Sequence, residues 1–177
     1  MPTSAVIICT RNRPSDLRQT IWSIAKQKTP RSFLVLVVDA SQRNHAQRNS
    51  TLLSQIPNLR TRYLRYSGPP SLARQRNYGI EHLPNTTDLA FFLDDDVTLQ
   101  TEYFRRITDT FESHPGIIGV GGCDISNSPP TFVSLRDLIR FTFLLDYPIP
   151  GHVLLSGKSS SLRPTNTSTL TDVGWLA

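Results

Sequence analysis

Three consecutive carboxylates, Asp94-Asp95-Asp96, follow the apolar run Leu89–Leu93. Like charges at that spacing repel, and the repulsion must be offset by a cation or by protonation. A divalent ion is the simplest compensation, because carboxylates, water and phosphate oxygens are the hard donors that suit Mg²⁺ or Mn²⁺. Side chains alternate along an extended chain, so Asp94 and Asp96 are expected to share a side and Asp95 to face away. Asp94 and Asp96 are therefore the expected metal-holding pair, with Mn²⁺ or Mg²⁺ as cofactor. The plainer alternative is a solvated acidic strand end, against which Phe91-Phe92-Leu93 argues by making the approach apolar.

Two more segments offer polar groups to the same region. Asp39 closes the run Phe33–Val38, and in open parallel sheets ligands gather beyond the carboxyl ends of strands, where a carboxylate can accept hydrogen bonds from a ribose or a base. Thr10-Arg11-Asn12-Arg13 follows the first apolar run and brings a hydroxyl, an amide and two guanidinium groups. Arg74 and Arg76 can pair with phosphate, although surface arginines on helices usually do nothing specific. Each segment alone is more often an ordinary loop, so the weight lies in their combination.

The elements that must position these residues are legible from hydrophobic period. Ala5–Cys9 reads as a buried strand, and Pro14-Ser15-Asp16 opens a helix whose stripe is Leu17, Ile21, Ile24 and Ala25 and which stops before Thr29-Pro30. Phe33–Val38 is a continuous apolar run, the mark of a strand covered on both faces. Gln42–Ser54 is polar and weakly helical, and Arg60–Tyr66 alternates as a third strand. Gly68-Pro69-Pro70 is a turn, after which Ser71 caps a helix to about His82. Leu89–Leu93 is a strand, Glu102–Ser113 a helix with Phe104, Ile107 and Phe111 on one face, and Ile117–Val120 a further strand entering Gly121-Gly122. Repeated β-α units of this kind predict an α/β fold around a mostly parallel sheet.

Beyond Pro129-Pro130 the character changes. Leu135, Leu138, Ile139, Thr142 and Leu145 fit an apolar helical face beside Arg136 and Arg140, expected in the core rather than on a membrane, and a Pro- and Ser/Thr-rich stretch leads to Asp172-Val173-Gly174-Trp175-Leu176-Ala177. We expect one domain over residues 1–177, with 4–125 forming one part and 126–177 the start of another that is cut short.

Composition removes several classes. The 177 residues carry a net charge of +5, and 19 Lys+Arg against 14 Asp+Glu favour phosphate-bearing ligands or an anionic surface. The arginines are scattered and form no tail, which argues against nucleic acid as partner. Two cysteines, Cys9 and Cys123, cannot build a disulfide framework or a zinc cluster. They are expected to be free thiols in a reducing compartment. No apolar run approaches the roughly 20 residues that span a bilayer, and Ala5–Cys9 is too short for a signal h-region. A cytoplasmic location is expected, at most peripheral to the inner face of the membrane, and the triplets at Asn85 and Asn166 are chance matches to a glycosylation motif. His45, His82, His114 and His152 have no metal-ligand spacing.

Taken in order, Thr10-Arg11-Asn12-Arg13-Pro14, Leu36-Val37-Val38-Asp39-Ala40-Ser41, Ala73-Arg74-Gln75-Arg76-Asn77-Tyr78-Gly79-Ile80 and Phe92-Leu93-Asp94-Asp95-Asp96 resemble the N-terminal half of family-2 glycosyltransferases of the GT-A fold. The resemblance implies a Rossmann-like, mostly parallel sheet flanked by helices, incomplete at the C-terminus. It implies an inverting transfer of a sugar from a nucleotide-diphosphate sugar to an acceptor hydroxyl on a glycan, a lipid-linked sugar or a small molecule. Carried over, Thr10 and Asp39 contact the nucleotide, Arg76 and Asn77 line the donor pocket with Arg74, and Asp94, Asp95 and Asp96 hold the ribose and the diphosphate-bound metal. Arg11, Asn12 and Arg13 complete the nucleotide-sugar set. Ala40-Ser41 stands where the family often has Asp and Gly, and Arg11 where it commonly has Tyr. The family's general base lies past a Trp-Leu segment like Trp175-Leu176, so it is expected beyond Ala177, and the isolated chain is expected to bind donor with weak or no transfer.

Two rivals share these residues. Asp94-Asp95-Asp96-Val97-Thr98 also fits the Asp-x-Asp-x-Thr loop of haloacid-dehalogenase-like phosphatases, with Asp94 as nucleophile. That fold carries the motif on its first strand and needs a downstream acidic pair, which is missing after Lys158. The other is a non-catalytic nucleotide-binding remnant.

Overall fold

The computed structural model describes residues 3–29, 33–56 and 58–122. The first β-branched run forms β1 (Thr3–Thr10), longer at both ends than its apolar centre because Thr3 and Thr10 also join the ladder. Pro14, with its preset φ, opens α1 (Pro14–Ala25). Leu17, Ile21 and Ile24 are buried as the spacing requires, but Ala25 is exposed; Thr20 and Ser23 take the inner positions instead. Their hydroxyls satisfy backbone groups there, Ser23 Oγ donating to the Thr20 carbonyl at 2.7 Å and accepting from Leu99 N–H at 3.2 Å.

β2 (Phe33–Asp39) is buried along nearly its whole length, α2 (Arg43–Ser54) follows, and β3 (Arg60–Arg65) pairs with β2. α3 (Leu72–Glu81) starts at Ser71, whose side chain accepts from the Arg74 N–H. β4 (Thr87–Asp94) pairs with β1, and α4 (Tyr103–Ser113) comes next. The four strands are all parallel in the order β3-β2-β1-β4. No described helix is long and apolar enough to cross a membrane.

Ala5, Ile7 and Cys9 of β1 join Leu34, Leu36 and Val38 of β2 and Leu64 of β3 in one apolar cluster, bordered by Tyr66, Tyr78 and Leu83. Each Ile, Leu or Val buried this way contributes about 1.5–3 kcal/mol. α3 reaches this face through Gly79, where a Cβ would stand 2.7 Å from Ile7 Cγ2. On β4 the side chains alternate, Phe91 and Leu93 buried and Phe92 exposed. Phe104 at the start of α4 meets Phe33 and Phe91 edge-on, each at 4.8 Å between centroids.

The chain divides into two compact units, Met1–Arg105 and Arg106–Ala177. The sheet and the first three helices belong to the first. In the second, the described residues are the end of α4 and an irregular segment to residue 122. The expected strand Ile117–Val120 is not formed there, and Ile118 is 93% exposed. A four-residue apolar run becomes a strand only with a ladder partner, and among the described residues it has none. The expectations for Cys123, Leu135–Leu145, His152, Lys158, Asn166 and Trp175 lie outside the described residues.

Candidate active site

Because β4 lies beside β1, with Cys9 opposite Asp94, the two strands end together and present Thr10 and the three aspartates at one edge. Around them is a cleft of about 420 Å³ lined by Cys9, Thr10, Arg11 and Arg13, by Leu72 and Gln75 of α3, and by Asp94, Asp95 and Asp96. That volume is within the range of small-molecule sites.

The three carboxylates have three different environments. Asp95 is buried, accepts from Thr10 Oγ1 at 2.6 Å and faces Arg13 Nη1 at 3.4 Å. Burial pushes its carboxyl above the usual carboxylate range, against the opposing pull of the Thr10 hydrogen bond and the Arg13 charge. Thr20 Oγ1 lies 2.8 Å from the Asp95 carbonyl and 2.9 Å from that of Val97, so α1 pins the backbone of the turn. Asp94 and Asp96 are exposed, as alternation requires, and each meets an arginine: Asp94 with Arg76 Nη2 at 3.3 Å, Asp96 with Arg13 Nη1 at 3.1 Å. The Arg76 guanidinium also lies 5.9 Å from the centre of the Phe92 ring.

Asp39 is fully buried and does not line the cleft. Its Oδ1 accepts from Ser41 N–H at 2.6 Å, and its Oδ2 from Asn49 Nδ2 at 2.8 Å and Tyr63 OH at 2.9 Å, with Arg65 Nη1 3.9 Å from Oδ1. Burial and the Asp39 hydrogen bond both raise the Tyr63 hydroxyl's pKa. Asn12 adopts φ 59°, a left-handed conformation that Asn tolerates. It joins the loops after β1 and β2, its N–H donating to Ser41 Oγ and its Oδ1 accepting from Gln42 N–H, both at 2.7 Å. Arg11 reaches the cleft, whereas Asn12, taken up by the loop contacts, the exposed Arg74 and Asn77, and Arg76 do not line it; Arg76 meets it only through Asp94.

Sequence reasoning passed over Gln75, which is buried and donates from Nε2 to the carbonyls of Val38 at 3.0 Å and Thr10 at 3.3 Å. It ties the ends of β1 and β2 to α3. The signal was its position four residues before Gly79, on the stripe that faces the sheet. Ser41, Asn49, Tyr63 and Thr20 were likewise missed, being polar residues whose partners are distant in sequence. Cys9 lines the cleft as a free thiol, and burial pushes it up to about 11.

Among the described residues no group of three or more His, Cys, Asp or Glu side chains converges as a metal cage. The donor set nevertheless fits Mg²⁺ or Mn²⁺, because Asp94 and Asp96 both turn carboxylates into the cleft. Such ions take one or two carboxylates and fill the remaining positions with phosphate and water.

A model of glycosyl transferase family 2 matches residues 5–168. The chain belongs to this family. Its fold is that of a mannosyltransferase, PcManGT from Pyrobaculum calidifontis, solved in complex with GDP-Man and Mn²⁺: TM-score 0.59 at 19% identity over 66% of this chain and 34% of that one. It is similar too to S. aureus TarS 1-349, at TM-score 0.54 and 19% identity over 72% and 41% of the two chains. For the same protein in complex with UDP-GlcNAc the values are 0.53 and 21% over 69% and 37%. The family-2 chain thus spans about two fifths or less of these structures. No curated protein sequence matches it. Membership in family 2 also removes the phosphatase alternative, whose motif belongs on a first strand, whereas Asp94 ends β4.

Proposed function

We propose that the cleft at the ends of β1 and β4 binds a nucleotide-diphosphate sugar, and that this chain supplies the donor side of an inverting glycosyl transfer to an acceptor hydroxyl. The observation that carries it is the convergence of Thr10, Arg13 and Asp94–Asp96 around one cleft in a chain matched by the family-2 model. That structurally similar proteins were solved with GDP-Man and Mn²⁺ or with UDP-GlcNAc supports the donor class.

Each residue then has a task. Asp94 takes the ribose side with Asp95, held by Thr10, behind it, and Arg11 and Arg13 lie where phosphates enter. Arg76, paired with Asp94 at the edge of the cleft, is close enough to reach a diphosphate, with Arg74 and Asn77 beside it on α3. Asp39 acts on the nucleotide through the loop that it braces. Asp96, with Asp94, holds a divalent ion, Mn²⁺ or Mg²⁺, which when bound neutralises charge on the departing diphosphate. The arginines add preorganised positive charge where negative charge develops. All three cleft carboxylates already have partners, and none is assigned as the base that deprotonates the acceptor. The acceptor is a hydroxyl of a glycan, a lipid-linked sugar or a small molecule.

Calorimetry with UDP-, GDP- and dTDP-sugars, with and without Mn²⁺, tests this directly. Metal-dependent binding of one nucleotide class, weakened more than about tenfold by Asp96→Ala, is the expected result. Absence of binding by the folded chain across the panel, in both metal conditions, refutes it.

A further inference from the structure

The acidic cleft carries its own counter-cations. Arg13 bridges Asp95 and Asp96 at 3.4 and 3.1 Å, and Arg76 holds Asp94 at 3.3 Å. The two arginines come from different elements, Arg13 from the residue before α1, where it lines the cleft, and Arg76 from α3, where it reaches Asp94 at the cleft's edge. Neither is locked: the Arg13 side chain is 54% exposed and the Arg76 side chain 31%. Among the described residues Arg11, which lines the same cleft, makes no ion pair.

A carboxylate oxygen occupied by a guanidinium is less available to a metal ion, and the same guanidinium fork is well matched to phosphate oxygens. We propose that Arg13 and Arg76 are resident counter-ions that hold the aspartate triplet in the donor-free state and transfer to the diphosphate when metal and nucleotide arrive. The idea rests on the donor reading given above and adds an order to it. Free metal must compete with the arginines and binds weakly. The metal-nucleotide complex offers the arginines phosphate oxygens in exchange for the carboxylates they leave, so metal and nucleotide enter together. Arg13 and Arg76 are thus positioning groups with opposite effects on the two ligands. Removing either one favours metal alone and disfavours metal with nucleotide.

The test is a titration of Mn²⁺ followed by the electron paramagnetic resonance of the free ion, first alone and then with saturating UDP or GDP, whichever the chain holds. Arg13→Gln is expected to bind Mn²⁺ alone about three- to fivefold more tightly than the parent chain, the scale of one exposed ion pair. At saturating Mn²⁺ the same variant is expected to bind the nucleotide about tenfold more weakly, the scale of one lost charge-assisted contact. Arg76→Gln follows the same pattern. Arg11→Gln, with an equal charge change but no carboxylate partner, tightens Mn²⁺ less than either, and Arg13→Lys stays near the parent for Mn²⁺ alone. Arg13→Gln leaving Mn²⁺ affinity unchanged, or Arg11→Gln matching it, overturns the exchange while leaving the donor site standing. Nucleotide binding without retained Mn²⁺ overturns the exchange alone, and failure of the parent chain to bind any nucleotide with or without Mn²⁺ overturns both.

Discussion

Thr10 Oγ1, at the last residue of β1, donates to Asp95 Oδ2 at 2.6 Å across a buried contact between residues 85 apart in sequence. This bond joins the first strand to the acidic turn and orients the middle aspartate inward, leaving Asp94 and Asp96 to face the cleft. A hydrogen bond to a buried charge contributes about 1.5–3 kcal/mol, so Thr10→Val is expected to lower unfolding free energy by that amount in urea titrations. A loss under about 0.5 kcal/mol, the level of ordinary surface changes, contradicts it.

Asp95 also gives stability a pH dependence. Its native carboxyl keeps a proton to higher pH than in the unfolded chain, because burial disfavours the charge. The native state therefore binds more protons in that interval, and the contribution of Asp95 to stability is full below the ordinary carboxylate range and lost as pH rises through the raised value. Melting curves of Asp95→Asn and the parent in chelator, at about pH 4.5 and about pH 7.5, should move apart in favour of the variant at the higher pH. A gap that is flat, or that favours the parent at higher pH, rules this out.

Asn49 and Tyr63 serve the same oxygen of Asp39. Losing either donor leaves the other in place, so Asn49→Ala and Tyr63→Phe should each cost about 1.5–3 kcal/mol. Losing both strips a buried carboxylate oxygen, and the double variant is expected to fall below the sum by about 0.5–2 kcal/mol. Strict additivity in a denaturant double-mutant cycle argues against a shared task.

Gly79 sets how closely α3 approaches the sheet. Alanine is the better helix former by about 1 kcal/mol, but its methyl would lie 2.7 Å from Ile7 Cγ2 and 3.3 Å from Val38 Cγ2. Ile7 and Val38 are themselves fully packed, and overpacking costs about 1–3 kcal/mol. Gly79→Ala should therefore lower the melting temperature, and an increase would mean that α3 can lift without loss.

Cys9 lines the cleft yet is held as a thiol, pushed up to about 11 by burial, with Asp94 and Asp95 adding to the shift and Arg76 opposing it. In a Cys123→Ser background, alkylation near pH 8 should be at least about 100-fold slower in the native chain than in denaturant, where the thiol titrates near 8.5. The native rate should climb about tenfold per pH unit up to about pH 10. Fast labelling at neutral pH would contradict the buried-thiol assignment.

The sequence alone determined the β-α alternation by its order of apolar runs, and through its motifs the resemblance to the family and the segments at the cleft. β1 and β2 are apolar on both faces, α1 announces itself by Leu17, Ile21 and Ile24, and the acidic triplet stands out because adjacent charges are costly. These are local properties of spacing and composition. The tertiary structure decided which of those residues face the ligand. Strand order β3-β2-β1-β4 brings Thr10 to Asp95, and α3 brings Arg76 to Asp94. The same packing seals Asp39 behind Asn49 and Tyr63. Among the described residues Ile117–Val120 forms no strand. Such pairings join positions tens of residues apart, and neither a hydrogen-bond partner nor a ladder neighbour at that distance leaves a period or a spacing in the chain.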